Sequence, residues 1–366
     1  MESMSWNEAP RLAALAELAQ GRTEGVARNM RAAFAVDEIG GRLWPLTISD
    51  GGPTCYLVDG VTAYLDYALA ETRNLAAHPA LRAVMRGLIH AAGPLVRATG
   101  LDRQVQVNNW LFSTCPVPPL PPATAAALAD RLSPRHPRHA LVIRSLNEAD
   151  DAASLATLNA LGWVLLPARQ VWRIDPPRAE AARWRDLIAD ARLTARCPFP
   201  LIPATAFTDA DFARAADLYD QLYRRKYPAL NPAYTAAFLR GAAQAGLIDL
   251  AGWRGPQGDL VAVSGLFRNG ATLTQPILGY DLSRPQREGL YRLAVMRAHL
   301  AARDGGLLMN ASAGAARFKR LRGATPAIEY TAVFADHLPR RQRAALTGLR
   351  LLLTTAAVPL MRRMRL

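Results

Sequence analysis

Strand-like runs of apolar residues, alternating in part with polar ones, occur at Gln104–Phe112, His139–Leu146 and Trp163–Ile174. The Pro-rich bend Pro116–Pro122 leads from the first of these into Ala123–Leu132, which is helical by composition. Asp150 and Asp151 can cap a second helix, Ala152–Leu161, stopped by Gly162. The order strand, helix, strand, helix, strand then returns in longer form over Phe207–Leu338. Thr208–Asp211 is a capping start for a helix through Tyr223, and a further helix covers Pro232–Ala245. Leu247–Trp253 and Leu260–Arg268 make a hairpin about the Gly255–Gly258 turn, and Ala271–Tyr280 extends the meander. Pro285–Asp304 supplies a glycine-containing loop and a helix, Leu307–Ala311 a strand, Ala315–Arg322 a short helix and Ile328–Phe334 a last strand.

Between the two segments, Arg178–Ala195 reads as an amphipathic connecting helix, and Cys197-Pro-Phe-Pro200 with Pro203 as a stiff linker. The pattern predicts a mixed α/β (α+β) chain in four parts: a helical extension over 1–29, a first lobe over 30–199, a second over 200–338, and a basic amphipathic helix over 339–366.

Composition narrows the class. With 366 residues, 51% of them hydrophobic and 20% charged, the chain can bury a core about two domains large, which excludes disorder, collagen and coiled coil as whole-chain readings. No run of 18 apolar residues occurs, and Met1–Glu8 lacks the basic start and apolar block of a signal peptide, so a cytoplasmic location is expected. Cys55, Cys115 and Cys197 are odd in number and widely spaced, which fits neither a disulfide framework nor a zinc ribbon.

The net charge of +14 points towards a polyanion, but half of it sits in residues 340–366, which hold seven arginines and no acid. Arginine outnumbers lysine 42 to 2, a bias of base composition as much as of binding, so nucleic acid is not expected as the main partner. In the tail, Leu346, Leu349, Leu353, Ala357 and Leu360 recur at helical spacing. The charge-free stretch Leu351–Met361, 11 residues long, is too short to span a bilayer. Two readings stand: an interfacial helix on anionic lipid at the inner face of the membrane, or a helix docked on the protein itself or on a dimer partner. The core is expected to be complete by about Leu338, leaving the tail dispensable for folding.

The segment Gln286-Arg287-Glu288-Gly289-Leu290-Tyr291 stands directly after a strand and before a helix. Unpaired backbone N–H groups and the positive helix end would suit a pyrophosphate there, unless Gly289 serves only an ordinary strand-to-helix turn. Lys319, one of two lysines, forms a basic cluster with Arg317, Arg320 and Arg322 that could meet an anionic donor or simply face solvent. The six histidines show neither a His-x-x-x-His nor a His-Glu-x-x-His spacing, so no metal site is expected. Gly-x-Ser-x-Gly is absent, and Cys115 has no motif naming a partner base.

Phe207–Leu338 resembles the GNAT N-acyltransferase fold, whose diphosphate loop follows Gln/Arg-x-x-Gly-x-Gly/Ala; Gln286, Gly289 and Tyr291 occupy those places, tyrosine replacing the small residue. The run Asn310-Ala-Ser312-Ala-Gly314 through Phe318-Lys319 to Gly323 resembles the tandem-lobe branch that includes Fem-type peptidyltransferases. No long helical-hairpin arm is present, and Pro116–Pro122 stands where the first lobe would carry its phosphate loop. The resemblance implies two GNAT-like lobes, the first degenerate, and an N-acyltransferase that moves an acyl group from acyl-CoA or a carrier-protein thioester directly to an amine, with no permanently bound cofactor. Leu278 and Gly279 would orient the thioester, the loop Gln286–Tyr291 with Lys319 would hold the donor, and Lys226, Tyr227, Asn231, Asn310 and Ser312 would meet the acceptor. Glu329, Tyr280 and Tyr330, with Asp281, are the acid–base candidates. A small-molecule or lipid-like amine, an acyl carrier protein and an anionic membrane are the implied partners. Two alternatives remain open: aminoacyl-tRNA as donor, as in Fem-type enzymes, and a non-catalytic binding protein on decayed lobes.

Overall fold

Gly40 and Gly41, left-handed at φ 62° and 72°, turn β1 (Ala33–Ile39) back onto β2 (Arg42–Asp50). A two-residue turn with both φ positive matches the right-handed twist of a hairpin. The structure, a computed structural model, describes residues 8–52, 54–75, 79–175, 184–226 and 229–364. Around that hairpin the first half of the chain places α1 (Glu8–Ala19), α2 (Ala68–Leu75), α3 (Pro79–Ala98), β3 (Arg103–Val107), α4 (Pro122–Arg135), β4 (Ala140–Asn147), α5 (Ala152–Ala160) and β5 (Val164–Ile174). The second half runs through α6 (Arg185–Ala195), β6 (Leu201–Pro203), α7 (Asp209–Asp220), α8 (Ala236–Gln244), β7 (Asp249–Arg254), β8 (Leu260–Asn269) and β9 (Thr272–Tyr280). It closes with α9 (Leu290–Asp304), β10 (Leu308–Asn310), α10 (Ala316–Arg320), β11 (Thr325–Phe334), α11 (Arg340–Leu352) and α12 (Val358–Met364), the last two continuous through Leu353–Ala357.

The mixed α/β expectation holds, and several local signals act as read: Thr208 and Asp211 form a reciprocal capping box at α7. The helix expected from Pro232 starts only at Ala236, because Thr235 is the residue whose side chain accepts from the Phe238 N–H. The first strand ends at Val107 rather than Phe112. Asn108 and Leu111 take φ of 60° and 66°, which breaks the extended run, and Asn108 Nδ2 donates to the Cys115 and Pro116 carbonyls to hold a buried loop. The connecting helix is seen over α6; part of its expected start, through residue 183, lies outside the described residues.

The described strands form a single sheet in the order β1-β2-β3-β4-β11-β5-β10-β9-β8-β7-β6. Only β3 with β4 and β9 with β10 are parallel. Each half thus builds a meander, a parallel pair joined by a helix, and a final strand. The final strands are exchanged: β11 lies between β4 and β5, and β5 between β11 and β10. A shared core follows, in which Trp110, Leu111 and Phe112 of the first half pack with Tyr234, Phe238 and Phe267 of the second.

The tail corrects one expectation, that the core is complete by Leu338. Leu346 and Leu349 are buried with Leu65, Val96 and Leu338, so deleting residues 340–366 would open this cluster to water. The helix Arg340–Arg363 is 24 residues long with a mean hydropathy of 1.5 over an 18-residue window, enough by length and composition to cross a membrane. Here α11 lies against α3 and β5.

Candidate functional site

β9 pairs with β8 along its length but with β10 only over Thr272–Thr274. From Gln275 onward its other edge has no strand partner among the described residues. At the end of β9, Gln286–Glu288 form one turn of 3-10 helix, Gly289 sits at φ 68°, and α9 begins at Leu290 without a side-chain cap. This is the strand, glycine turn and helix start read from the sequence.

The chain's own side chains occupy it. Leu193 of α6 lies on Gly289, where an added Cβ would be 2.5 Å from Leu193 Cδ2. The Tyr291 ring stands 5.9 Å from Tyr280 and edge-on to Phe318 at 4.9 Å, and the Arg322 guanidinium covers Phe318 at 3.4 Å. The tyrosine that replaces the small residue therefore packs across the start of α9, between Tyr280 and Phe318. Gln286 and Arg287 are exposed, and Glu288 binds Arg284 at 2.6 and 3.1 Å. Asp281 is held by Ser283 and Arg214, which outweigh burial and keep its carboxyl below the usual range; burial raises the Tyr280 hydroxyl. Leu278 is a core residue.

Gly279 has a packing role. An added Cβ would lie 2.5 Å from the Leu218 carbonyl carbon and the Tyr219 nitrogen, so α7 crosses β9 at backbone contact. Gly279→Ala is expected to destabilise the protein by about 1–3 kcal/mol through forced separation of helix and strand, read as a lower denaturant midpoint.

A second group gathers where the exchanged strands meet. Glu329 of β11, 2% exposed, accepts from Arg169 of β5 through Nε at 2.8 Å and Nη2 at 3.2 Å, a bidentate pair. Arg169 Nη2 also donates to the Ser113 carbonyl at 2.8 Å and to Thr114 Oγ1 at 3.0 Å. Thr114 Oγ1 in turn donates to Ser312 Oγ at 3.0 Å, joining the two halves. Arg144 of β4 converges on the same place, donating to Leu57 O at 3.2 Å and Ser113 O at 3.5 Å, its guanidinium 5.6 Å from the Tyr56 ring centre. The Tyr56 and Tyr67 rings are tilted with centroids 4.5 Å apart, and Asn231 lies beside Tyr67. Burial pushes the Tyr56 hydroxyl up to about 12 against the pull of Arg169 and Arg144, so it stays protonated.

Lys319 holds the loop after β10. Its Nζ donates to the carbonyls of Ala311 at 2.6 Å, Ser312 at 3.1 Å and Ala313 at 2.8 Å, across a loop with positive φ at Ser312, Gly314 and Ala315. Burial and then Arg169 draw the ammonium down to about 7. Three carbonyl acceptors favour the charged form, because a neutral amine has only two N–H donors. Asn310 Oδ1 accepts from the Ser312 N–H at 2.9 Å and fixes the same loop.

Of the residues singled out from sequence, Glu329, Lys319, Ser312 and Asn310 come together here, and Asn231 reaches them through Tyr67. The loop Gln286–Tyr291 forms the neighbouring group with Leu278, Gly279 and Tyr280, and α10 joins the two because Phe318 faces Tyr291 and Lys319 the junction. Tyr330 packs on another face, against the cluster that holds α4 and α5, with Glu148 and Arg362 beside it. Lys226 is exposed after α7, and Tyr227 lies outside the described residues. Arg144, Arg169, Thr114, Tyr56 and Tyr67 were not read from the sequence. The one signal was an arginine inside each of two otherwise strand-like runs, masked in a chain with 42 arginines.

The fold is a tandem GNAT-like one. No protein-family model matches the chain, and no curated protein matches it. Among solved structures, that of FemX aligns with 90% of this chain and 97% of its own at a TM-score of 0.52 and 10% identity. L-PGS from Bacillus licheniformis covers 93% and 96% at 0.50 and 10%. The C-terminal domain of a putative lysylphosphatidylglycerol synthetase from Agrobacterium fabrum covers 93% and 96% at 0.50 and 11%. At these identities the likeness is one of fold.

Proposed function

We propose that the chain is a transferase that passes an aminoacyl group, carried as an ester on tRNA, to an amine acceptor at the junction of its two halves. The observation that supports this most is the contrast between the two groups of residues: the start of α9 beside Gly289 is covered by Tyr291, Phe318 and Leu193, whereas the junction brings Arg144, Arg169 and Lys319 to the same place, with Glu329 paired to Arg169 and Asp151 further along. Three basic side chains outnumber Glu329 and Asp151, an excess suited to a phosphate and to the oxyanion that develops as an ester carbonyl is attacked. Glu329 is engaged with Arg169, so it serves to position that guanidinium. The proton given up by the amine then goes to the departing ribose oxygen as the C–N bond forms and the C–O bond breaks. The fold shared with a protein named for making lysylphosphatidylglycerol is consistent with an aminoacyl donor.

The strand, Gly289 turn and uncapped start of α9 keep acyl-CoA, or a carrier-protein thioester, as the second reading. One experiment separates the two. Aminoacyl-tRNA binding is measured over a salt series beside calorimetric titration of several acyl-CoAs, with mass analysis of an amine panel after incubation. Affinity for aminoacyl-tRNA that falls steeply with salt, with aminoacylated amine as product, is the expected result. Heat with acyl-CoA together with no tRNA binding at low salt would move the donor to the thioester reading.

A further inference from the structure

The outward face of α3 carries almost no charge. From residue 81 to 94 its exposed positions are Leu81, Ala83, Val84, Gly87, Leu88, His90, Ala91 and Pro94. Val84 is 58% and Leu88 66% exposed, although core positions on the same helix, Met85 and Val96, are buried. α3 and α11 run side by side in opposite directions: Gln342 meets Gly100 at one end, and Gly348 lies under Leu95 further along. Beyond that point the second helix also turns apolar residues outward, with Leu351 64% and Leu352 39% exposed.

The charges carried on α3 and on α11–α12 themselves are of one sign, with Glu71 of the neighbouring α2 and Asp102 just outside. Residues 72–101 contain Arg73, Arg82, Arg86 and Arg97 and no acid, and residues 337–366 contain seven arginines and no acid. Glu148 binds Arg362 at 3.0 Å. An exposed apolar strip edged by arginine is mismatched to water and to a basic partner, and is matched to a surface that offers both hydrocarbon and negative charge.

We propose that the paired outer faces of α3 and α11–α12 form a platform that docks on an anionic phospholipid bilayer, with Leu81, Val84, Leu88, Leu351 and Leu352 entering the headgroup boundary and the flanking arginines contacting lipid phosphates. Leu346 and Leu349 stay in the protein core, so the helix lies on the membrane and does not cross it. The platform is independent of the donor: its failure would leave the transferase reading standing, because the readout is lipid binding and not turnover.

The test is vesicle flotation of the full chain with phosphatidylglycerol-containing and with neutral phosphatidylcholine vesicles, at low and high salt. The wild type is expected to bind the anionic vesicles at low salt and to lose binding as salt rises. Val84→Asp with Leu88→Asp is expected to weaken binding about tenfold or more while the melting temperature stays unchanged, since both side chains are exposed. Leu351→Glu on the other helix is the second variant and is expected to act in the same direction. Equal binding by wild type and both variants, or no binding to anionic vesicles at low salt, would overturn the proposal. So would light scattering that shows a wild-type dimer split by the same substitutions, which would make the strip an interface between two copies.

Discussion

Glu329→Ala is expected to abolish transfer and to lower stability by about 3–5 kcal/mol, because it leaves the Arg169 guanidinium desolvated and unpaired at the junction. The bidentate geometry fixes both partners, and Arg169 in turn reaches Ser113 and Thr114, so the loss spreads to the contact between Thr114 and Ser312. A double variant, Arg169→Met with Glu329→Leu, separates the two consequences. Replacing a buried pair by apolar groups of similar size is close to neutral, so most of the stability should return. Activity should not, since the positive charge aimed at the junction is gone. Denaturant unfolding and single-turnover transfer, measured on all variants, check both statements. If the double variant transfers normally, Arg169 has no part in the chemistry.

The second large effect is expected at Asp190, on the helix that roofs the start of α9. Asp190 is 1% exposed and accepts from Arg292 Nε and Arg322 Nε, each at 2.5 Å, which pins α6 to α9 and to the end of α10. Asp190→Ala removes the carboxylate of Arg292 and leaves Arg322, itself 5% exposed, with the longer contact to Asp186 at 3.6 Å. A loss of about 3–5 kcal/mol follows, seen as a lower melting temperature. Because Leu193 sits on Gly289 from the same helix, loosening α6 should also speed amide exchange at Leu290 to Arg292. Unchanged exchange there would mean that packing by Leu193 alone holds the roof.

Local chemistry carried much of the fold. The capping box at Thr208, the hairpin of β7 and β8, and the boundaries of α5 and α9 follow from spacing and turn residues within a few positions. The hairpin of β1 and β2 is equally legible, from Gly40-Gly41 between runs rich in apolar residues. The helices α2 and α3 are less so. The outward leucine and valine of α3 blur the usual split between an apolar and a charged face, which is also why that helix reads as a docking surface.

The candidate site was legible only in part. Glu329 and Lys319 could be named, the one as a carboxylate on the last strand and the other as a rare lysine, yet their partners could not. Arg169 is 160 residues from Glu329, and Thr114 is 198 from Ser312. The sequence by itself determined two similar runs of elements, a mixed α/β chain and the place of the glycine turn, because those depend on neighbours along the chain. The tertiary structure alone decided that the last strands change places, that Tyr291 packs between Tyr280 and Phe318, and that Arg169 meets Glu329 at the seam. Those outcomes rest on which strand edge finds a partner and which side chains fill the remaining space, and both are set by packing between segments that no local pattern relates.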